Sequence, residues 1–301
     1  MKVSRRGLLT GAIGGPLAAA ACLTLGPRQS WGASEVAISV DKSRRKVISN
    51  GIPRHPVGDY PNSHDPVPLR PQSHHLEMPL TPEKAEKPVP LSMWLFGVAV
   101  NGVPFDPSGP FWNADGSSGW QFEVLHPQAS VALGIDVNRA HTQGRGMYHY
   151  HGVPTGLLWD LTVAAPDQPM YLLGYAADGY PIYGPECPGD SSDVSSPIKR
   201  LRSSYRLRTG HRKDGPKGRF DGLFVEDFEF IPGSGDLDDC NGRTGPTPEF
   251  PDGTYYYVLT DQFPFIPRLY RGQPDKSFRH GPPPGISPPV PPELKRYAGK
   301  E

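Results

Sequence analysis

The chain has 301 residues, and its 35 Gly and 38 Pro, about a quarter of the total, exclude a fold built on long helices. Only 36% of residues are hydrophobic and the mean hydropathy is −0.48, yet 10% are aromatic, including 13 Tyr, so an aromatic core can form and uniform disorder is excluded. Apart from a weak stretch at the N-terminus, no run reaches the roughly 20 apolar residues that a spanning helix needs, which excludes a polytopic membrane protein.

The first element is Ser4-Arg5-Arg6-Gly7-Leu8-Leu9, followed by a Gly/Ala-rich, mildly apolar run to about Leu25 with no acid before Glu35. Cations ahead of such a run predict a twin-arginine export signal, cleavage near Ala33, and a periplasmic or secreted mature protein. Cys22, after Ala19-Ala20-Ala21, is the rival site and would carry a lipid. Loss of residues 1–33 removes four cations and no acids, moving the formal net charge from 0 to −4, so no nucleic acid is expected as a partner. The mature chain then keeps two cysteines, Cys187 and Cys240. An even pair in an oxidising compartment predicts one structural disulfide, with a two-cysteine metal site as the other reading.

Residues 34–90 form the next region, and within it 50–90 hold ten prolines together with His55, His64, His74 and His75 and no sustained apolar period. That texture predicts a linker or wrapping arm, and none of its residues is placed in a site. From Leu91 to Gly272, short apolar or alternating runs predict strands at Trp94–Val100, Trp120–Leu125, Tyr171–Ala176, Phe220–Ile231 and Tyr255–Thr260. Turn pairs such as Asn101-Gly102, Asp178-Gly179 and Asp252-Gly253 punctuate them. Short helices are expected at Ser130–Arg139 and at Ser196–Tyr205, where Pro197 would occupy the first turn. The fold predicted is mainly β, a sandwich-like antiparallel domain over 91–272 with short helices and long Pro/Gly-rich loops. Residues 273–301, with Pro282-Pro283-Pro284 and Pro288-Pro289, read as an extended Pro-rich tail.

The most informative segment runs from His141 to Pro154 and contains Tyr148-His149-Tyr150-His151. On a strand, side chains alternate, so His149 and His151 share one face while Tyr148 and Tyr150 share the other. Two imidazoles about 6–7 Å apart along a strand can converge on one ion, and His141, across a Gly-containing turn, can fold back as the third ligand. The competing reading is a Tyr/His ladder in which every histidine is satisfied by protein groups. Imidazole ligation leaves the ion open among copper, zinc, iron and nickel, and copper then zinc lead because no sulfur or carboxylate cluster accompanies the histidines.

In the string Gly146-Met-Tyr148-His149-Tyr150-His151-Gly152-Val-Pro154 the chain resembles the YHYH-domain proteins. Further strings resemble that family in order: Val98-Ala-Val-Asn101-Gly102-Val, Gly174-Tyr-Ala-Ala-Asp178-Gly179-Tyr-Pro181-Ile-Tyr183-Gly184-Pro185, Asp236-Leu-Asp238-Asp239-Cys240-Asn241-Gly242-Arg243, and Pro251-Asp252-Gly253-Thr-Tyr255-Tyr256-Tyr257. The resemblance spans roughly 92–272 and implies a domain rather than a reaction, because the family is defined by its motif. Some members carry a histidine in the late strand where this chain has Tyr255, Tyr256 and Tyr257, so a second imidazole cluster is not expected.

Other residues are candidates for supporting roles. Asp178 and Glu186 lie in a rigid Gly/Pro loop suited to orienting a ligating histidine through its second nitrogen, or simply to making the turn. A Cys187–Cys240 bridge would bring Glu186 towards Asp238 and Asp239. Asp236, Asp238, Asp239 and Asn241 offer hard oxygens for calcium as a minor alternative, although the register fails the EF-hand pattern. Residues 199–219 carry nine Lys/Arg against one Asp and could face an anionic partner, or be a solvated charged surface. Ser196-Pro-Ile-Lys199 matches Ser-x-x-Lys only at its ends, and the phosphate-loop motifs are missing. The expectation is an exported metal-binding protein with a redox or metal-handling role, set against a non-catalytic binding or surface module.

Overall fold

A computed structural model describes residues 32–92, 94–113, 118–280 and 290–295; residues 1–31 of the expected export signal, with Cys22, and the tail prolines 282–284, 288 and 289 lie outside them. The described chain is mainly β. In chain order, β1 (Val36–Asp41), β2 (Arg44–Ser49) and β3 (His74–Pro79) make a three-stranded antiparallel sheet. Next come β4 (Lys84–Pro90), β5 (Gly97–Ala99), β6 (Pro104–Phe105), helix α1 (Pro127–Ala132), β7 (Ala140–Gln143), β8 (Met147–Tyr150) and helix α2 (Thr155–Ala164). They are followed by β9 (Leu172–Ala176), β10 (Pro181–Tyr183), the hairpin β11 (Glu186–Pro188) with β12 (Ile198–Arg200), and the pair β13 (Tyr205–Leu207) with β14 (Phe228–Phe230). The remaining elements are β15 (Gly242–Thr247), β16 (Phe250–Val258), β17 (Leu269–Gly272), which pairs with β4, and a final helical turn α3 (Pro292–Lys295). The main sheet has eight strands in the order β15-β16-β10-β9-β5-β6-β8-β7, antiparallel except at β10·β16 and β6·β8.

Alternation on β16 shows why this sheet is covered on both faces. Tyr255 and Tyr257 enter the largest apolar cluster, whereas Tyr256 and Val258 enter a second one with Met170, Tyr183 and Cys187. Close strand approach explains two glycines: a Cβ at position 174 would sit 2.2 Å from the Val98 carbonyl oxygen and one at position 97 would sit 2.5 Å from that of Tyr175.

Several expectations need correction. Ser196–Tyr205 is not a helix, because Ile198–Arg200 pair antiparallel with β11 and the Leu201 N–H donates to the Pro185 carbonyl. The 120–125 run makes only isolated bridges, Gln121 to Phe111 and Phe122 to Phe224, and the 220–231 run is broken by a 3-10 turn at Val225–Asp227. Cys187 and Cys240 are both free: the first is buried in the smaller Tyr183 cluster with its thiol against the Gly184 carbonyl, the second in the main cluster. Of the two readings of residues 50–90, the linker is the one to correct: the segment contains β3 and β4 and buries Tyr60, Leu69, Leu76 and Met78 in the main core, as a wrapping arm does. After residue 272, Phe278 joins the main core, and Val290 and Leu294 pack in a third cluster with Trp120, Phe122 and Phe224.

Helix α1 falls near the expected helix, starting earlier on His126-Pro127 and ending where Gly134 takes φ +66°. Helix α2 was not expected. Its Leu157-Leu158-Trp159-Asp160-Leu161-Thr162-Val163 is apolar nearly all round, so no amphipathic period announces it, and it starts at Pro154 without a side-chain cap.

Candidate metal centre

The hairpin β7–β8 builds the site. Gly144 and Gly146, both with positive φ, turn the chain so that His141 stands opposite His149 in register. Directly opposed residues of an antiparallel pair share a face, and His151, two residues beyond His149, shares it too. The His151 N–H donates to the Arg139 carbonyl at 2.7 Å, extending the register past the last strand residue. The ring centroids are 4.8 Å apart for His141–His149, 5.1 Å for His141–His151 and 4.6 Å for His149–His151. One nitrogen from each ring lies within 4.8 Å of the other two, and the residues are 9%, 0% and 2% exposed in chain order.

Backbone carbonyls orient two of the rings. His141 Nδ1 lies 2.8 Å from the Leu133 oxygen and His149 Nδ1 lies 3.3 Å from that of Met147, so with both Nδ1 protonated each Nε2 presents a lone pair. His149 Nε2 and His151 Nε2 are 2.8 Å apart, and His151 Nδ1 is buried with no hydrogen-bond partner among the described residues. Burial favours the neutral form in all three rings. It holds His149 and His151 well below the ordinary imidazole value, helped for each by neighbouring imidazoles; for His141, burial is opposed by the Asp65 carboxylate and the Leu133 carbonyl. Neutral imidazoles are the state in which a metal ion is bound.

Asp65 was not foreseen. Its Oδ2 stands 3.8 Å from His141 Nδ1 and accepts hydrogen bonds from the Thr142 N–H (3.0 Å) and hydroxyl (2.8 Å), tying the wrapping segment to the edge strand β7. Nothing in local spacing announces this contact across more than 70 residues. At the hairpin turn, Gly144 and Arg145 border a cavity of about 460 Å³ together with Pro66, Val67, Pro68 and Arg70.

The tyrosines of the same strand occupy its other face. The Tyr148 hydroxyl donates to Asp136 at 2.6 Å, and the Tyr150 hydroxyl lies 2.6 Å from His55 Nε2 and accepts from the Asn101 amide at 2.9 Å. His55, in the Pro/His segment expected to be outside any site, is thus buried against the signature strand. A histidine in a proline-rich stretch gives little reason to expect such a contact, and only the long-range pairing reveals it.

The other candidates have different bonding. Asp178 is buried, accepting from the Tyr257 hydroxyl (2.5 Å) and the Gly272 N–H (2.8 Å), and burial pushes its carboxyl up to about 6. Glu186 is exposed and pairs with Arg200 at 2.8 Å. Asp238 Oδ1 accepts from the Cys240 N–H, the Gly242 N–H and the Tyr255 hydroxyl; potential ligand atoms of Asp238, Asp239 and Cys240 lie within 4.8 Å of one another. Asp236 is not in that group, its carboxylate being held by Lys199 and the Arg202 N–H, while the Asn241 amide donates to the Val258 carbonyl. In the basic segment, Lys199, Arg200 and Arg212 are spent in ion pairs with Asp236, with Glu186 and Asp261, and with Asp221 and Asp227. No helix among the described residues is long and apolar enough to cross a membrane.

The main sheet, with a buried histidine triad on one hairpin and tyrosines behind it, defines a β-rich YHYH domain. The family described as YHYH protein matches residues 75–272, and the chain belongs to that family. No curated protein and no solved structure matches the chain.

Proposed function

We propose that this is an exported metal-binding protein that holds a copper ion through His141, His149 and His151. The observation carrying this reading is the convergence of three buried, neutral imidazoles from one hairpin, with His151 Nδ1 left unsatisfied. An orphaned buried nitrogen costs free energy unless an occupant or a ring adjustment satisfies it.

The donor set supports copper over zinc: three imidazoles suit either ion, and copper(II) binds a given nitrogen site more tightly than zinc. The ion would supply one-electron redox chemistry or be a cargo in metal handling. Export through Arg5-Arg6 suits such a protein, because the twin-arginine route carries folded chains, and the periplasm or exterior is the compartment proposed.

A second reading is a structural ladder in a non-catalytic surface module. The His141–Leu133 and His149–His151 contacts favour it, since those ring nitrogens already have protein partners. Elemental analysis of the untagged protein, exported through its own signal and purified without chelator, separates the two. About one copper per chain, lost in a folded His149→Ala/His151→Ala variant, supports the metal centre. Zinc in that position would correct the ion, and no bound metal in the wild-type protein would overturn the proposal.

A further inference from the structure

Tyr150 lies between two of the triad histidines in sequence but faces away from them into the main core, where its ring packs against Phe105 and Tyr148. Its hydroxyl has two partners, His55 Nε2 at 2.6 Å and the Asn101 amide at 2.9 Å. The His55 Nδ1 is 2.9 Å from the Pro56 carbonyl. A carbonyl only accepts, so His55 carries its proton on Nδ1 and its Nε2 accepts from the tyrosine. The Asn101 amide donates to the same phenolic oxygen, leaving that oxygen's own proton directed at His55. Tyr150 is fully buried and His55 is 5% exposed, so both groups are shielded from bulk water.

A buried phenol in a short hydrogen bond to a neutral imidazole can lose an electron with its proton passing to that base, whereas losing the electron alone would leave a cationic phenol in a low-dielectric interior. Burial lowers the basicity of His55, and the Pro56 carbonyl and the Asp136 and Asp160 carboxylates oppose that effect, partly compensating the imidazolium when it forms. Tyr148 differs: its hydroxyl meets the Asp136 carboxylate, ordinarily a weaker base than imidazole, and that carboxylate already accepts from the Gly58 and Asn138 N–H groups.

We propose that Tyr150 and His55 form a redox site in which Tyr150 is the oxidisable group and His55 the proton acceptor. One electron leaves the phenol for a one-electron oxidant; the phenolic O–H bond breaks, an N–H bond forms at His55 Nε2, and a neutral tyrosyl radical remains beside an imidazolium. Re-reduction by a one-electron donor returns the proton to the phenol. The pair stands on its own bonding and does not require an ion in the triad. If the triad holds a redox-active ion, Tyr150 is placed to exchange oxidising equivalents with it; that link alone rests on the metal reading.

The test uses metal-free, full-length protein and photogenerated ruthenium(III) tris-bipyridine as the oxidant, followed by transient absorption and electron paramagnetic resonance. A tyrosyl radical should form with a rate that slows in heavy water, and His55→Gln should form it about a hundredfold more slowly. Ring-fluorinated tyrosine incorporated at position 150 keeps the hydroxyl and its bonds and should add a fluorine splitting to the radical spectrum, which locates the radical even if Tyr150→Phe fails to fold. No tyrosyl signal, a signal without that splitting, or a rate unchanged in folded His55→Gln would each overturn the proposal. Because no metal is present, the outcome is independent of whether the triad binds copper.

Discussion

The carboxylate of Asp65 sits 3.8 Å from Nδ1 of His141, and it is the same oxygen that accepts from both the N–H and the hydroxyl of Thr142. One buried acid thereby holds the wrapping segment against the edge strand and faces the triad. Asp65→Ala would leave the Thr142 and Val67 N–H groups without their acceptor. Urea unfolding of the metal-free protein should show a loss of about 2–4 kcal/mol, with a smaller loss for Asp65→Asn, which keeps one acceptor oxygen.

Ion binding should stabilise the chain through this hairpin. Copper at about a hundred times its dissociation constant adds about 2.7 kcal/mol to a folded state that alone binds it. Calorimetry should record a higher Tm with copper for the wild-type protein, reversal on chelation, and no shift for His141→Ala. A shift of equal size in His141→Ala would remove that residue from the ligand set.

How much of this was legible depended on whether the signal was local. His149 and His151 on one face and Tyr148 and Tyr150 on the other follow from strand alternation, and His141 needed only the Gly144–Gly146 turn to come into register. Asp65, His55 and Asn101 reach the same hairpin through long-range pairing that a single sequence does not encode in any spacing. The Ser196–Tyr205 error has a similar cause. Ser196-Pro197 is good local helix-start chemistry, but pairing with β11 makes the segment a strand. Helix α2 was missed because an apolar run without a polar face shows no period.

Asp178 should give the protein a recognisable pH signature. Its carboxyl is raised from an ordinary 3.8 to about 6 by burial, so the folded chain holds this proton more tightly than the unfolded chain. Its contribution to stability therefore increases as pH falls from about 6 towards 3.8, by up to ~3 kcal/mol. Other carboxyls, among them Asp261 and Asp275, are held low by partners and act in the opposite direction. The wild-type minus Asp178→Asn difference, measured by unfolding at successive pH values, isolates the effect and should slope in this window; a flat difference would contradict it.

Gly174 tests the packing of the main sheet. Its missing Cβ would fall 2.2 Å from the Val98 carbonyl oxygen and 2.8 Å from the Ala99 Cα, both on the neighbouring β5. Backbone cannot rotate away as a side chain can, so Gly174→Ala should cost at least about 3 kcal/mol or abolish folding. Gly144→Ala is the control: nothing lies within 4 Å of its Cβ position, although its φ of +55° imposes local strain, so it should cost about 1 kcal/mol.

The two buried thiols give the last expectation. Cys187 lies in the cluster around Tyr183 and Tyr256, Cys240 in the cluster around Tyr257, and burial holds the Cys187 thiol up at about 12 and pushes that of Cys240 up as well. A thiol protonated at neutral pH and shut away from water reacts slowly even with a strong disulfide reagent. Protein purified without reductant should therefore expose no reactive thiol from these positions while folded and two once denatured, with Cys187→Ala and Cys240→Ala each removing one. Oxidation to a disulfide would need the thiols to leave separate apolar clusters and meet at bonding distance, a rearrangement of both faces of β16. Two thiols appearing in denaturant only after reduction would show that the chain makes that rearrangement.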